Sequence, residues 1–184
     1  MNAKEISERA QLDEDARVLA TENIPVRSYI ELLAHRERLR DSISALAQAF
    51  PPVAAIAWGL ASIRRVGAVL AKPQAEATLQ SVERWLADPD EERRRGALQA
   101  AEQAGVGTPA GCLAFAVFLS GGSLAPPEAP VAPEAPPHVC GRMVSGAMSL
   151  AIALDPRNAS ELRRGFLAQG LQMANERKIW DEKG

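Results

Sequence analysis

The placement of proline constrains this chain more than any other feature of its sequence. Proline fixes φ and lacks a backbone donor, so it suits the first turn of a helix and breaks a helix interior. Pro25, Pro52, Pro73, Pro89, Pro109 and Pro156 each stand just ahead of apolar residues at helical spacing. The chain must therefore fold as a series of short helices, each led by a proline. The intervals are unequal, so the series is not a true sequence repeat.

The apolar stripes agree with that division. Val26, Tyr29, Ile30 and Leu33 form one, and Leu39, Ile43, Leu46, Ala47 and Phe50 form the next, with a break at His35–Arg38. Val53, Ile56, Leu60, Ile63, Gly67 and Leu70 read as a single stripe, with Arg64 and Arg65 on its wet side. Leu79, Val82, Trp85 and Leu86 give a further stripe that should bury Trp85. Asp88 then reads as an N-cap, Pro89 as the first helical residue and Glu91 as the capping-box partner. That helix should stop at Gly105.

Thr108-Pro109 opens a helix that is apolar on every side from Cys112 to Leu119, and a helix of that kind belongs in a core. Gly121-Gly122 ends it. After an interruption, residues 138–154 and then Leu162, Phe166, Leu167, Leu171 and Met173 carry the last two helices. Alternation over five or more positions, the mark of a half-buried strand, occurs nowhere. Alanine, the best helix former, supplies about a fifth of the residues.

The expected fold is therefore all-α: stacked antiparallel hairpins of about seven to nine helices, interrupted by a proline-rich extended loop. Residues 21–175 should form one domain. Residues 1–20 read as a partly flexible leading segment and 176–184 as a charged tail.

Composition excludes several functions. A net charge of -2 and 4% aromatic residues offer neither a basic footprint nor stacking platforms, so no nucleic-acid partner is expected. Two cysteines, Cys112 and Cys140, are too few for a disulfide scaffold and fit a reducing compartment as buried thiols. The charged start lacks the apolar stretch of a signal peptide, and no apolar run reaches the roughly 20 residues of a membrane span. A cytoplasmic protein without membrane insertion is expected.

Reactive constellations are sparse. His138 and Cys140 are two apart, which turns them about 200° from each other on a helix. His35, the other histidine, sits in a charged run, so no metal ligand set forms. The acidic clusters at 13–15, 90–92 and 181–182 sit in exposed-looking places and suit helix N-termini and solvated faces. No catalytic residue, metal or cofactor is expected. The triplet Arg93-Arg94-Arg95 follows three acids and reads mainly as a neutralised surface, with anion or acidic-partner binding as its alternative.

The most informative segment is APPEAPVAPEAPP, residues 125–137, which holds six of the 13 prolines. It cannot be helix or central strand and should run as extended polyproline II. Three readings stand: a strap lying along the helices, a ligand for a partner, or a plain linker. In the strap reading Leu124 is the anchor, inserted between helices. Arg93, Arg94, Leu124, Pro126, Pro127 and His138 are the candidate partner-contacting residues.

The stretch ERWLADPDEERRRGALQAAEQAGVGTPAGCLAFAVFLSGGSLAPPEAP, with the later PPHVCGRMVSGAMSLA, resembles a family of small bacterial proteins of unknown function. The resemblance rests on a W-x-x-D-P-x-E-x-x-R helix junction, a GxGTP turn and SGGSLAPP followed by a proline loop. It covers roughly residues 25–175. It implies genes placed beside bacterial secretion clusters, type VI among them, and so an accessory, adaptor or chaperone role with no catalytic residues to carry over. The expected function is non-catalytic protein–protein interaction, with a secreted effector or a secretion component as partner. The alternatives are a small-molecule-binding or enzymatic helical domain and an immunity- or antitoxin-like protein.

Overall fold

The computed structural model describes residues 1–21, 23–126 and 128–180. Among them the fold is all-α, 71% helical and without strands. The helices are α1 (Ala3–Arg9), α2 (Glu14–Val18), α3 (Val26–His35), α4 (Leu39–Ala49), α5 (Pro52–Ile63) and α6 (Gly67–Leu70). They continue as α7 (Pro73–Ala87), α8 (Glu91–Ala104), α9 (Pro109–Phe118), α10 (Pro137–Ala153) and α11 (Ala159–Glu176). Nine of these have at least seven residues, the upper end of the expected number.

Proline and capping residues set most boundaries. Thr108 accepts the Gly111 N–H at 3.1 Å ahead of Pro109, and Gly105 ends α8 at φ 81, in a region that favours glycine. Two boundaries differ from the sequence reading. The stripe from Val53 to Leu70 is two helices: α5 stops at Ile63 and α6 starts at Gly67. Arg64, the C-cap of α5, turns onto α7 and meets Glu76 at 3.0 Å and Glu83 at 2.9 Å, which fixes the corner.

The start of α8 also moves. Asp88 ends α7, and Asp90 is the N-cap, accepting the Arg93 N–H at 2.7 Å. Both aspartates can cap; Asp88 is already taken up with the α7 end and with Arg93.

The leading segment forms α1 and α2 against the domain. Ala3, Ile6 and Ala16 are fully buried, and the Tyr29 hydroxyl donates to the Ala16 carbonyl at 2.8 Å. Asn2 and Glu5 form a capping box at the start of α1.

Helix α9 is central. It packs on α8 and α10 most extensively, then on α7 and α5, which explains why its sequence is apolar all round. A second focus lies where α4, α5 and α11 meet. Trp58 is fully buried there, with its ring 5.5 Å from that of Phe50 and its Nε1 donating to the Phe166 carbonyl at 2.9 Å. Trp85 is buried at 4% exposure, as its stripe requires.

Candidate functional site

The proline segment and the first turns of α8 form one unit. Helix α8 places Glu91, Arg94 and Arg95 at i, i+3 and i+4, so the three side chains meet. Arg94 is only 4% exposed, the one charged residue buried among those described. Its Nε donates to Glu91 at 2.7 Å and its Nη2 to the other Glu91 oxygen at 2.8 Å, a bidentate pair. Its Nη1 donates to the Phe118 carbonyl at the end of α9, and Nη2 also reaches the Ser123 carbonyl at 2.8 Å. The guanidinium lies 5.0 Å from the Phe118 ring centroid, a cation–π contact.

Arg95 adds a second hold. It donates to Glu91 at 2.6 Å, to the Ala125 carbonyl at 2.9 Å and to the Ser123 carbonyl at 3.3 Å. Two adjacent arginines thus grip the Ser123 and Ala125 carbonyls where the proline segment begins. Gly122 makes the approach possible: at φ 67, a Cβ there would lie 3.1 Å from Arg94 Nη2.

The segment does not run along the helices as a strap. The Leu124 N–H donates to the Pro133 carbonyl at 2.7 Å, and Ser123 bridges antiparallel to Glu134, so the chain closes on itself at a neck. The Ala129 N–H returns to the Pro126 carbonyl at 3.0 Å. The reason is geometric. Helices α9 and α10 pack on each other, so the residues between Phe118 and Pro137 exceed what the connection needs, and the surplus folds back.

Leu124 anchors through its backbone, and its side chain is half-buried instead of inserted between helices. Beyond the neck, Pro126, Glu128 and Pro130 are exposed and Val131 is 70% exposed. Pro127 lies outside the described residues.

The remaining candidates lie apart from this grip. Arg93 points to the exposed side and pairs with Asp88 at 2.5 Å and with Asp90. His138 sits in the first turn of α10, where its carbonyl accepts from Gln48 Nε2 at 3.1 Å. Glu91, expected as a capping-box partner, and Arg95, expected as part of a neutralised surface, are not among the six partner-contacting candidates. Their charge spacing is visible in the sequence, but the carbonyls to which Arg95 donates lie about thirty residues further along the chain.

The Arg94 hydrogen bonds, reinforced by Arg95, hold the Glu91 carboxyl down at about 2. A carboxyl lowered on folding stabilises the protein above its unfolded value and loses that contribution as pH falls through the folded one. The melting-temperature difference between the wild type and Glu91→Gln should be steady above about pH 5. It should shrink as pH drops from 4.5 towards about 2. A difference constant across that range would show that Glu91 does not hold the arginines.

Burial pushes the Cys112 thiol up to about 11 and the Cys140 thiol up to about 12. Both are free, and Cys112 Sγ donates to the Met143 carbonyl at 3.3 Å. Neither thiol should react quickly with a thiol reagent in the native protein, and both should react on unfolding. Native labelling at the unfolded rate would contradict the burial. Burial likewise pushes the Tyr29 hydroxyl up to about 12. The displaced values at Asp13, Arg38, Arg64, Glu76 and Arg93 follow hydrogen bonds and surface ion pairs that do not converge on one cavity.

Among the described residues no three His, Cys, Asp or Glu side chains are placed to hold a metal, and no helix is long and apolar enough to cross a membrane.

An all-helical scaffold that displays a closed proline loop defines the class of protein. The chain belongs to a family of unknown function, DUF6931, whose sequence model matches residues 29–174. No curated protein and no solved structure matches it.

Proposed function

We propose that this protein is a non-catalytic interaction module that presents its proline loop to a partner protein. The observation that carries the reading is the grip of Arg94 and Arg95 on the loop neck, with the tip left exposed. A loop of surplus length would ordinarily sample many conformations. Here its neck is closed and tied to the buried Arg94, while proline stiffens the tip. Little conformational entropy is then lost when a partner closes on it, which favours binding. The secretion-cluster setting that the family resemblance implies supports reading such a module as a cytoplasmic adaptor or chaperone. Its partner would be a secreted effector or a component of a secretion apparatus, type VI among them.

The test replaces residues 126–132 with glycine and serine at equal length, leaving the neck residues 123, 124, 133 and 134 intact. Affinity capture from the native host, quantified by mass spectrometry, should lose specific co-eluting proteins with the swapped loop, while helical content stays unchanged. The same co-eluting proteins at the same abundance with the swapped loop would overturn the reading.

A further inference from the structure

A wide groove lies away from the proline loop. It encloses about 900 Å³ where the first residues, the start of α3, the α4–α5 junction and the end of α11 come together. That volume is in the range of small-molecule sites, roughly 300–1,000 Å³. Ile24, Val53, Ile179 and Trp180 give it an apolar wall, with Val53 40% exposed.

Its charge is one-sided. Arg27, Arg177 and Lys178 line it, and no Asp or Glu does so among the described residues. Arg27 spends its Nε on Glu31 at 2.9 Å, while Arg177 and Lys178 make no ion pair with a described residue. Asp181 and Glu182, which follow Trp180 in sequence, lie outside the described residues.

The backbone adds to the positive side. Pro25 and Pro51 hold the N-cap positions of α3 and α5 and supply no side-chain acceptor. The first chain-internal bonds are those of Tyr29 and Ala55, so the earlier N–H groups of both helices have no acceptor among the described residues. Both helix starts face the groove beside the three cations.

An apolar wall beside a cationic rim, in which Arg177 and Lys178 make no ion pair with a described residue, complements an anion that carries a hydrocarbon body. We propose that the groove binds an amphipathic carboxylate of the fatty-acid class as a free molecule, with its chain on Val53, Ile179 and Trp180. Its carboxylate meets Arg177, Lys178 and Arg27. This site is independent of the loop reading and stands or falls separately.

The full chain is titrated with dodecanoate below its micelle concentration, by calorimetry and by tryptophan fluorescence. Trp58 and Trp85 are buried, so a Trp180→Phe variant assigns the fluorescence change to the groove. Saturable binding at one molecule per chain is expected. Dodecanol, which lacks the charge, and acetate, which lacks the chain, should each bind at least about tenfold more weakly. The charge-reversed double variant Arg177→Glu, Lys178→Glu should weaken dodecanoate by about tenfold or more. Its circular dichroism and melting temperature should match the wild type, because both residues are exposed. Val53→Asp should weaken binding through the other half of the site.

Absent saturation, equal affinity for dodecanol, or indifference to charge reversal in a folded variant would each overturn the proposal. Uptake of dodecanoate only when it is incorporated in phospholipid vesicles would overturn it too, by assigning the surface to membranes.

Discussion

Trp58→Ala should destabilise the protein by about 3–5 kcal/mol, a large share of the roughly 5–15 kcal/mol available to a domain. Trp58 is fully buried and stands between α4 and α11, so its loss opens a void that no single neighbour can fill. Gly170 of α11 shows how close the packing is: a Cβ there would come within 2.6 Å of the Trp58 ring and 2.7 Å of Leu46. The backbone of α11 rests directly on the indole, and an alanine at 58 removes the surface it rests on. Phe50 loses its ring partner at the same time.

Trp58→Phe separates packing from hydrogen bonding. It keeps much of the volume and removes the donor to the Phe166 carbonyl. That carbonyl sits inside α11 and retains its helical partner, so the hydrogen bond alone should be worth about 1 kcal/mol. Urea unfolding, read as a change in midpoint at constant slope, measures both variants. A cost below about 1 kcal/mol for Trp58→Ala would mean that α11 does not pack on α5 as described.

Arg94→Met should cost about 3 kcal/mol. Methionine has the length of the arginine stem but none of its donors. The buried Phe118 carbonyl then loses its charged partner, the Ser123 carbonyl keeps only the longer bond from Arg95, and the Phe118 ring loses its cation. Glu91 is half exposed and can rehydrate, which keeps the cost below that of a fully buried orphan charge. Arg94→Lys should fall between, because one ammonium cannot serve the bidentate carboxylate and two separate carbonyls.

The same substitution should loosen the loop neck. Hydrogen exchange at the Leu124 amide, which is bonded to Pro133, should quicken in Arg94→Met by more than the global loss of stability explains. Unchanged protection there would mean that the neck closes without the arginines, and the grip would then be incidental to the loop.

Local chemistry alone determined much of this protein. Proline at the first turn, Thr108 as a cap and Gly105 as a stop act on neighbouring backbone, so the helices of the α9 region are legible residue by residue. Periodicity is equally local, and the apolar stripes around Trp85, Cys112 and Cys140 suffice to require their burial.

The arginine triplet marks the limit. Arg93, Arg94 and Arg95 are chemically alike in sequence, yet one is exposed, one is buried and one spans the two conditions. A rotation of about 100° per residue sends them to different neighbours. Only the arrival of the α9 end and the loop neck against α8 decides which of them is enclosed. Asp88 and Asp90 are alternatives of the same kind, settled by where α7 stops.

The fold-back of the proline segment and the cationic groove lie further from the sequence still. Closure of the loop follows from the packing of α9 on α10. The groove joins residues from both ends of the chain and from two helix starts between them. Contacts of that range depend on how whole helices pack, and no local pattern of residues encodes them.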